Sequence, residues 1–225
     1  MPVFRITNDL VFPHPGLAEE DGLLAVGGDL STERLLLAYR NGIFPWYSKG
    51  DPILWWSPDP RCVLLPEKLK VSTRLRRTLN RKDLTVTFDR SFNEVINHCA
   101  TVKRTGQRGT WITQEMIAAY KKLNQEGYAH SVEVLLDGEL AGGLYGVSVG
   151  KVFCGESMFS LRPDASKIAL VHLAARLREW KFPIIDCQVT NPYLLSMGAE
   201  EISRASFLEQ VRKLGGQKGH VGPWE

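Results

Sequence analysis

A chain of 225 residues with 44% hydrophobic content can build a real core, in one large or two unequal domains. No run of 18 apolar residues occurs, which excludes a transmembrane helix, and the opening MPVFRITNDLVFPHPG lacks the basic-then-apolar pattern of a signal peptide. The net charge of +3 is unevenly spread: residues 68–82, KLKVSTRLRRTLNRK, carry seven Lys or Arg and no acid, so the remainder is net negative and a polyanion docking at one place is expected.

In chain order, residues 1–30 are rich in Pro and Gly and read as loop. Ser31 can cap a helix running through Tyr39, with Gly42 ending it. GIFPWYSKGDPILWWSPDPR (42–61) holds four prolines and three tryptophans, too broken for a helix or a central strand. A domain boundary is expected at its end, giving a small N-terminal domain (1–62) and a second domain (63–225). There, Ser72 can cap a basic helix, and residues 84–88 read as a strand. The spacing of Phe92, Val95, Ile96 and Cys99 predicts a helix over 91–100, and Thr113 can cap another ending near Gly127. Alternation over 130–160, with turns at Asp137-Gly138 and near Gly150, predicts a three-strand meander. A helix over 164–180, a strand over 183–189 and a short helix from 192 complete an α+β domain around one sheet.

Cys62, Cys99, Cys154 and Cys187 never form a CxxC and read as buried free thiols of a reduced, cytoplasmic protein. Five scattered histidines without HxxxH or HExxH spacing give no metal site. GESMF (155–159) lacks the closing Gly of a nucleophile elbow. The order of meander and helix resembles the acetyltransferase superfamily, but SLRPDASK before the helix does not match its pyrophosphate loop, so acyl-CoA is not the expected donor.

PIIDCQVTN (183–191) places an acid and an amide at the end of an apolar strand. Strand alternation puts Ile184, Asp186 and Gln188 on one face, with Asp186 and Gln188 about 6.5–7 Å apart. They can share a ligand, or Asp186 can cap the next helix. In KVFCGESMF, alternation groups Val152, Cys154, Glu156 and Met158 on one face. Glu156 can hold a cationic substrate group or serve as an ion-pair partner.

Taken together, GLLAVGGDLS (22–31), GIFPW (42–46), DPILWWSPDPR (51–61), GTWIT (109–113), FCGESMFS (153–160) and DCQVTN (186–191) give a chain that resembles the leucyl/phenylalanyl-tRNA–protein transferases of the bacterial N-degron pathway. The resemblance implies an acetyltransferase-like (GNAT/Fem-type) mixed-sheet domain after the small one. It implies transfer of Leu or Phe, and less well Met, from aminoacyl-tRNA to proteins or peptides with N-terminal Arg or Lys. An aminoacyl ester is already activated, so no ATP, metal or other cofactor is required, and a monomer is expected. A non-catalytic tRNA-binding protein is the competing reading. By the same resemblance, Asp186 and Gln188 are catalytic with Asn191 assisting: Gln188 orients the amine, and Asp186 holds that amide or receives the proton. Glu156 contacts the acceptor's cationic end or the donor's amino group. Leu144, Phe153 and Leu170 form a side-chain pocket, and Trp46, Trp111 and Tyr120 surround the terminal adenosine. Trp55 and Trp56 are expected to pack the two domains together. Arg74, Arg76, Arg77, Arg81 and Lys82 contact tRNA phosphates, with Arg74, Arg77 and Arg81 along one face if 72–82 is helical.

Overall fold

The computed structural model describes residues 3–102 and 110–224, so Gly109 of the GTWIT motif lies outside the described residues. The described residues form two sheets. A four-stranded one takes β1 (Phe4–Ile6), β2 (Leu23–Gly27), β3 (Phe44–Pro45) and β4 (Leu54–Trp56) in the order β1-β2-β4-β3. Helix α1 (Thr32–Arg40) accompanies it, capped by Ser31, whose hydroxyl accepts the Arg34 N–H. The buried Arg34 guanidinium donates to the carbonyls of Thr7, Asn8 and Asp9, which ties the segment after β1 to α1.

The second sheet has seven strands in the order β11-β5-β10-β9-β8-β7-β6. Along the chain come β5 (Arg61–Leu64), α2 (Thr73–Leu79), β6 (Leu84–Phe88), α3 (Phe92–Thr101) and α4 (Gln114–Gln125). The meander follows as β7 (Ala129–Leu136), β8 (Glu139–Val149) and β9 (Val152–Ser160), then α5 (Ala165–Glu179), β10 (Ile184–Gln188), α6 (Pro192–Ser196), β11 (Glu200–Ile202) and α7 (Arg204–Leu214). Asp137 and Gly138 both take positive φ, 52° and 80°, the backbone that a tight hairpin turn demands. One apolar cluster packs α1, α3, α4, α7 and the small sheet on one face of the large sheet; the other packs α2, α5 and α6 on the opposite face. The fold is α+β, a small N-terminal sheet beside a larger mixed one.

Three expectations need correcting. Residues 42–61 do supply an interior strand: β4 lies between β2 and β3, because its three residues Leu54, Trp55 and Trp56 fall between the prolines rather than on them. Helix α2 stops at Leu79, with Asn80 as its C-cap, so Arg81 and Lys82 lie beyond it and not on its face. Residues 1–30 are not loop throughout: they supply β1 and β2, which run between the Pro and Gly positions, β2 ending on Gly27. Strands β5 and β11 are too short to show alternation, and α7 comes after the last segment the pattern resolves. Among the described residues no helix is long and apolar enough to cross a membrane.

Among the described residues of the large sheet, β9 and β10 form the only parallel pair, and their partners run from Ile184↔Val152 only to Asp186↔Cys154. Beyond that point β9 continues along β8 as far as Ser160. The two parallel strands therefore part, and the gap between them opens the sheet.

Candidate active site

Both strands bordering that gap are bulged where they part. In β9, Tyr145 pairs with Ser157 and Gly146 with Gly155, leaving Glu156 as the extra residue. In β10, Asp186 pairs with Val63 and Gln188 with Cys62, leaving Cys187 extra, and Gln188 takes a left-handed φ of 63°. A bulge breaks alternation and re-aims the side chains beside it. The expected face of Val152, Cys154, Glu156 and Met158 is thus corrected: past the bulge, Met158 packs with Phe153 against the α5 cluster, and Phe159 joins Cys154 on the other side. Asp186 and Gln188 nonetheless both reach groups on the α1 side of the sheet, as their shared face predicts: Arg61, which holds Asp186, lies against Phe44 and Phe207, and Glu156, which holds the Gln188 amide, lies against Tyr39 and Tyr120.

Glu156 is 8% exposed and its carboxylate accepts three hydrogen bonds. Oε1 takes the Tyr39 hydroxyl at 2.8 Å and the Gln188 amide N–H at 2.8 Å, and Oε2 takes the Tyr120 hydroxyl at 2.9 Å. Burial pushes its pKa up to about 7, against the lowering effect of the three donors. Burial, and next the charge of Glu156, also push the hydroxyls of Tyr39 and Tyr120 well above the ordinary tyrosine range, so both stay protonated donors. Because Gln188 gives its Nε2 to Glu156, its amide oxygen is left to point elsewhere.

Asp186 is held apart from this cluster. Arg61 Nε and Nη2 donate to its two oxygens at 2.8 and 2.7 Å, and both side chains are 1% exposed. The guanidinium lies between the rings of Phe44 and Phe207, 4.9 and 4.4 Å from their centroids. Asp186 Oδ1 also accepts the Gln188 backbone N–H at 2.9 Å. Asp186 therefore binds the backbone of Gln188, not its side-chain amide as expected; Glu156 holds the amide.

A cavity of about 800 Å³ occupies the gap. Glu156 and Gln188 supply polar groups to it, Leu144, Phe153 and Leu170 line its apolar part, and Trp46 and Trp111 also line it. Trp46 is 40% exposed, and its carbonyl accepts the Trp56 indole N–H at 2.6 Å. Asn191 borders the cavity too, but its carboxamide oxygen caps α6 through the Leu194 N–H at 2.8 Å. Tyr120 does not offer a stacking face for a base: it is fully buried, its hydroxyl on Glu156 and its ring edge-on to Tyr145. Trp55 is likewise buried, its indole N–H on the Gly27 carbonyl and its ring against Phe12, both within the N-terminal part.

The basic residues lie elsewhere. On α2, Arg74, Arg76 and Arg77 are exposed around the buried Leu75. Arg74 approaches Asp164 at 3.9 Å, and Arg76 Nε reaches the Val71 carbonyl at 3.4 Å. Arg81 chelates Asp83 through Nε and Nη2, whereas Lys82 is exposed. Sequence reasoning missed Arg61 and Tyr39. An arginine directly before the apolar run CVLL, and a tyrosine in the apolar phase of Leu35, Leu36 and Ala38, were the available signals.

The family model described as leucyl/phenylalanyl-tRNA protein transferase matches residues 63–212, and that of its N-terminal domain matches 28–59. A leucyl/phenylalanyl-tRNA–protein transferase from Syntrophobacter fumaroxidans is 58% identical over 225 residues, covering 100% of this chain and 96% of the relative. One from Desulforapulum autotrophicum is 55% identical over 224 residues, covering 100% of this chain and 98% of its own. Among solved structures, a GCN5-related N-acetyltransferase from Kribbella flavida covers 74% of this chain and 59% of its own, at 11% identity and a TM-score of 0.38. The chain belongs to the leucyl/phenylalanyl-tRNA–protein transferase family.

Proposed function

We propose that this chain transfers Leu or Phe, and less well Met, from aminoacyl-tRNA to the α-amino group of proteins beginning with Arg or Lys, which marks them for degradation. One observation supports the site assignment above all: Glu156 and Gln188, joined by a 2.8 Å hydrogen bond, meet where the parallel strands part, beside an apolar pocket.

The reaction asks little of the protein. The α-amine nitrogen attacks the ester carbonyl, a C–N bond forms, the C–O bond to the ribose breaks, and a proton passes from the nitrogen to the released ribose oxygen. The amine's reference pKa of about 7.7–8.0 leaves a usable neutral fraction at neutral pH. Orientation can then supply roughly 7–11 kcal/mol of the barrier reduction. Gln188 does the orienting: with Nε2 tied to Glu156, its amide oxygen accepts an amine N–H and aims the lone pair. Glu156 fixes that amide and offers partial negative charge to an ammonium group of donor or acceptor. Asp186, engaged by Arg61, is a positioning residue that holds the Gln188 backbone in its bulge rather than a proton acceptor. Leu144, Phe153 and Leu170 receive the Leu or Phe side chain, and Trp46 and Trp111 offer stacking surfaces to the terminal adenosine. Arg74, Arg76, Arg77 and Lys82 meet the tRNA backbone.

The test is a transfer assay with Phe-tRNA and a peptide bearing N-terminal Arg, beside a control peptide beginning with Ala. Phe added to the Arg peptide alone supports the reading. Salt-sensitive tRNA binding with no transfer would leave a binding protein.

A further inference from the structure

A second cavity, of about 1010 Å³, lies between the end of α1, the β8–β9 turn and the segment that follows α7. Among the described residues its walls carry Arg40, Lys151, Arg212, Lys218 and His220, and no acidic one. Lys151 precedes β9 and stands five residues from Glu156, roughly 17 Å along an extended strand, so this cavity is at the far end of β9 from the reaction site.

The cationic side chains are available. Arg40, Arg212 and Lys218 are exposed, and no salt bridge found among the described residues engages them. The acid one turn before Arg212, Glu209, is already paired with Lys213 at 2.7 Å. Lys151 gives one N–H to the Trp180 carbonyl at 2.7 Å, which leaves two of its three donors. His220 has its pKa lowered, by burial first and then by Lys151, Arg176, His130 and Lys218, as a positive local field requires.

The wall is also built rather than loose. A Cβ on Gly219 would sit 2.2 Å from the Gly150 carbonyl oxygen, and one on Gly150 would sit 2.3 Å from that of Leu214, so the segment after α7 lies flat on the β8–β9 turn. Farther on, Trp224 is buried, stacks on His130 at 3.9 Å and donates its backbone N–H to Asp89 at 2.8 Å. His220 stacks on Trp180 at 3.9 Å. Lys218 is therefore presented by a strap anchored on both sides.

Several fixed cations around one concavity repel one another unless a shared anion offsets them. We propose that this cavity binds phosphate oxyanions, at a site separate from the basic residues of α2. Helix α2 packs on the opposite face of the large sheet from α1 and α7, so the two basic regions do not form one continuous track. Two sources present the same chemistry: a free phosphorylated compound, or a phosphodiester of the RNA substrate. Only the second source rests on the function proposed above.

The test uses the full chain and two double variants, R212E/K218E in the cavity and R74E/R77E on α2, all four positions being exposed. Thermal melts establish that each variant folds. Inorganic tripolyphosphate is titrated by calorimetry, and tRNA binding is measured across a salt series. If the source is a free phosphate compound, tripolyphosphate binds the parent chain and R74E/R77E alike and binds R212E/K218E at least about tenfold more weakly, a loss of about 1.4 kcal/mol. If the source is RNA, R212E/K218E lowers the salt slope of tRNA binding by about 2, one for each lost phosphate contact. The proposal is overturned if R212E/K218E changes neither quantity. Failure of the parent chain to bind tRNA would count against the proposed function, and the tripolyphosphate titration would still decide the cavity.

Discussion

Arg61 and Asp186 meet at 2.7 and 2.8 Å, each 1% exposed, and the same Asp186 carboxylate holds the backbone N–H of Gln188 at 2.9 Å. Removing either partner strands a buried charge, which costs about 3–5 kcal/mol, whereas replacing both by apolar residues costs far less. Arg61→Met and Asp186→Leu should each lower the urea midpoint sharply, and the double variant should be more stable than either single one. In transfer assays Asp186→Ala should lower turnover far more than donor affinity. Equal losses in both would assign Asp186 to binding.

Glu156 links stability to pH. Its pKa rises from 4.5 to about 7 on folding, so between those values the folded chain keeps a proton that the unfolded chain releases. Stability therefore falls as pH rises through this window and levels off above about pH 7. The total is about 3 kcal/mol, at ~1.4 kcal/mol per pKa unit. Glu156→Gln should flatten the dependence and melt higher than the parent chain at pH 8. Parallel pH profiles for the two proteins would contradict the burial argument.

Gln188 sits at a φ of 63°, where a side chain is strained and glycine is not. Both Gln188→Ala and Gln188→Gly lose the hydrogen bond to Glu156, so their comparison isolates the backbone. Gln188→Gly should be the more stable by about 1–2 kcal/mol. Equal melting temperatures would mean that the bulge relaxes when the side chain is cut.

The basic residues should separate by their pairing. Arg74→Ala and Arg77→Ala should each reduce the salt slope of tRNA binding by about 1. Arg81→Ala should reduce it less, because Arg81 is engaged by Asp83. A larger effect at Arg81 would show that RNA displaces that ion pair.

Much of the large domain was legible from the sequence because its elements are long enough to show their period. The strand over 84–88, the meander and the capped helices appear where Leu84, Asp137-Gly138, Ser72 and Thr113 place them. What stayed hidden is what breaks a period or lies beneath one. Alternation carried straight through Glu156 misassigns Met158, because a bulge depends on the neighbouring strand and leaves no local mark. Arg61 reads as the end of a proline-rich loop, and its partner lies 125 residues away. Tyr120 reads as a free aromatic surface until the fold brings Glu156 onto its hydroxyl. The proposed site residues come from motif resemblance; that Glu156 holds the Gln188 amide, and that the Arg61–Asp186 pair holds its backbone, comes from the geometry.

The central claim is that the Gln188 amide oxygen, fixed by Glu156, aims the attacking amine. Single-turnover transfer of Phe from Phe-tRNA to an Arg-initiated peptide, at saturating donor, tests it most directly when the parent chain is compared with Gln188→Ala. The account predicts a chemical step slowed on the order of 100-fold, with donor affinity unchanged. A step rate equal to that of the parent chain, or a slowing matched by an equal loss of donor affinity, would contradict it.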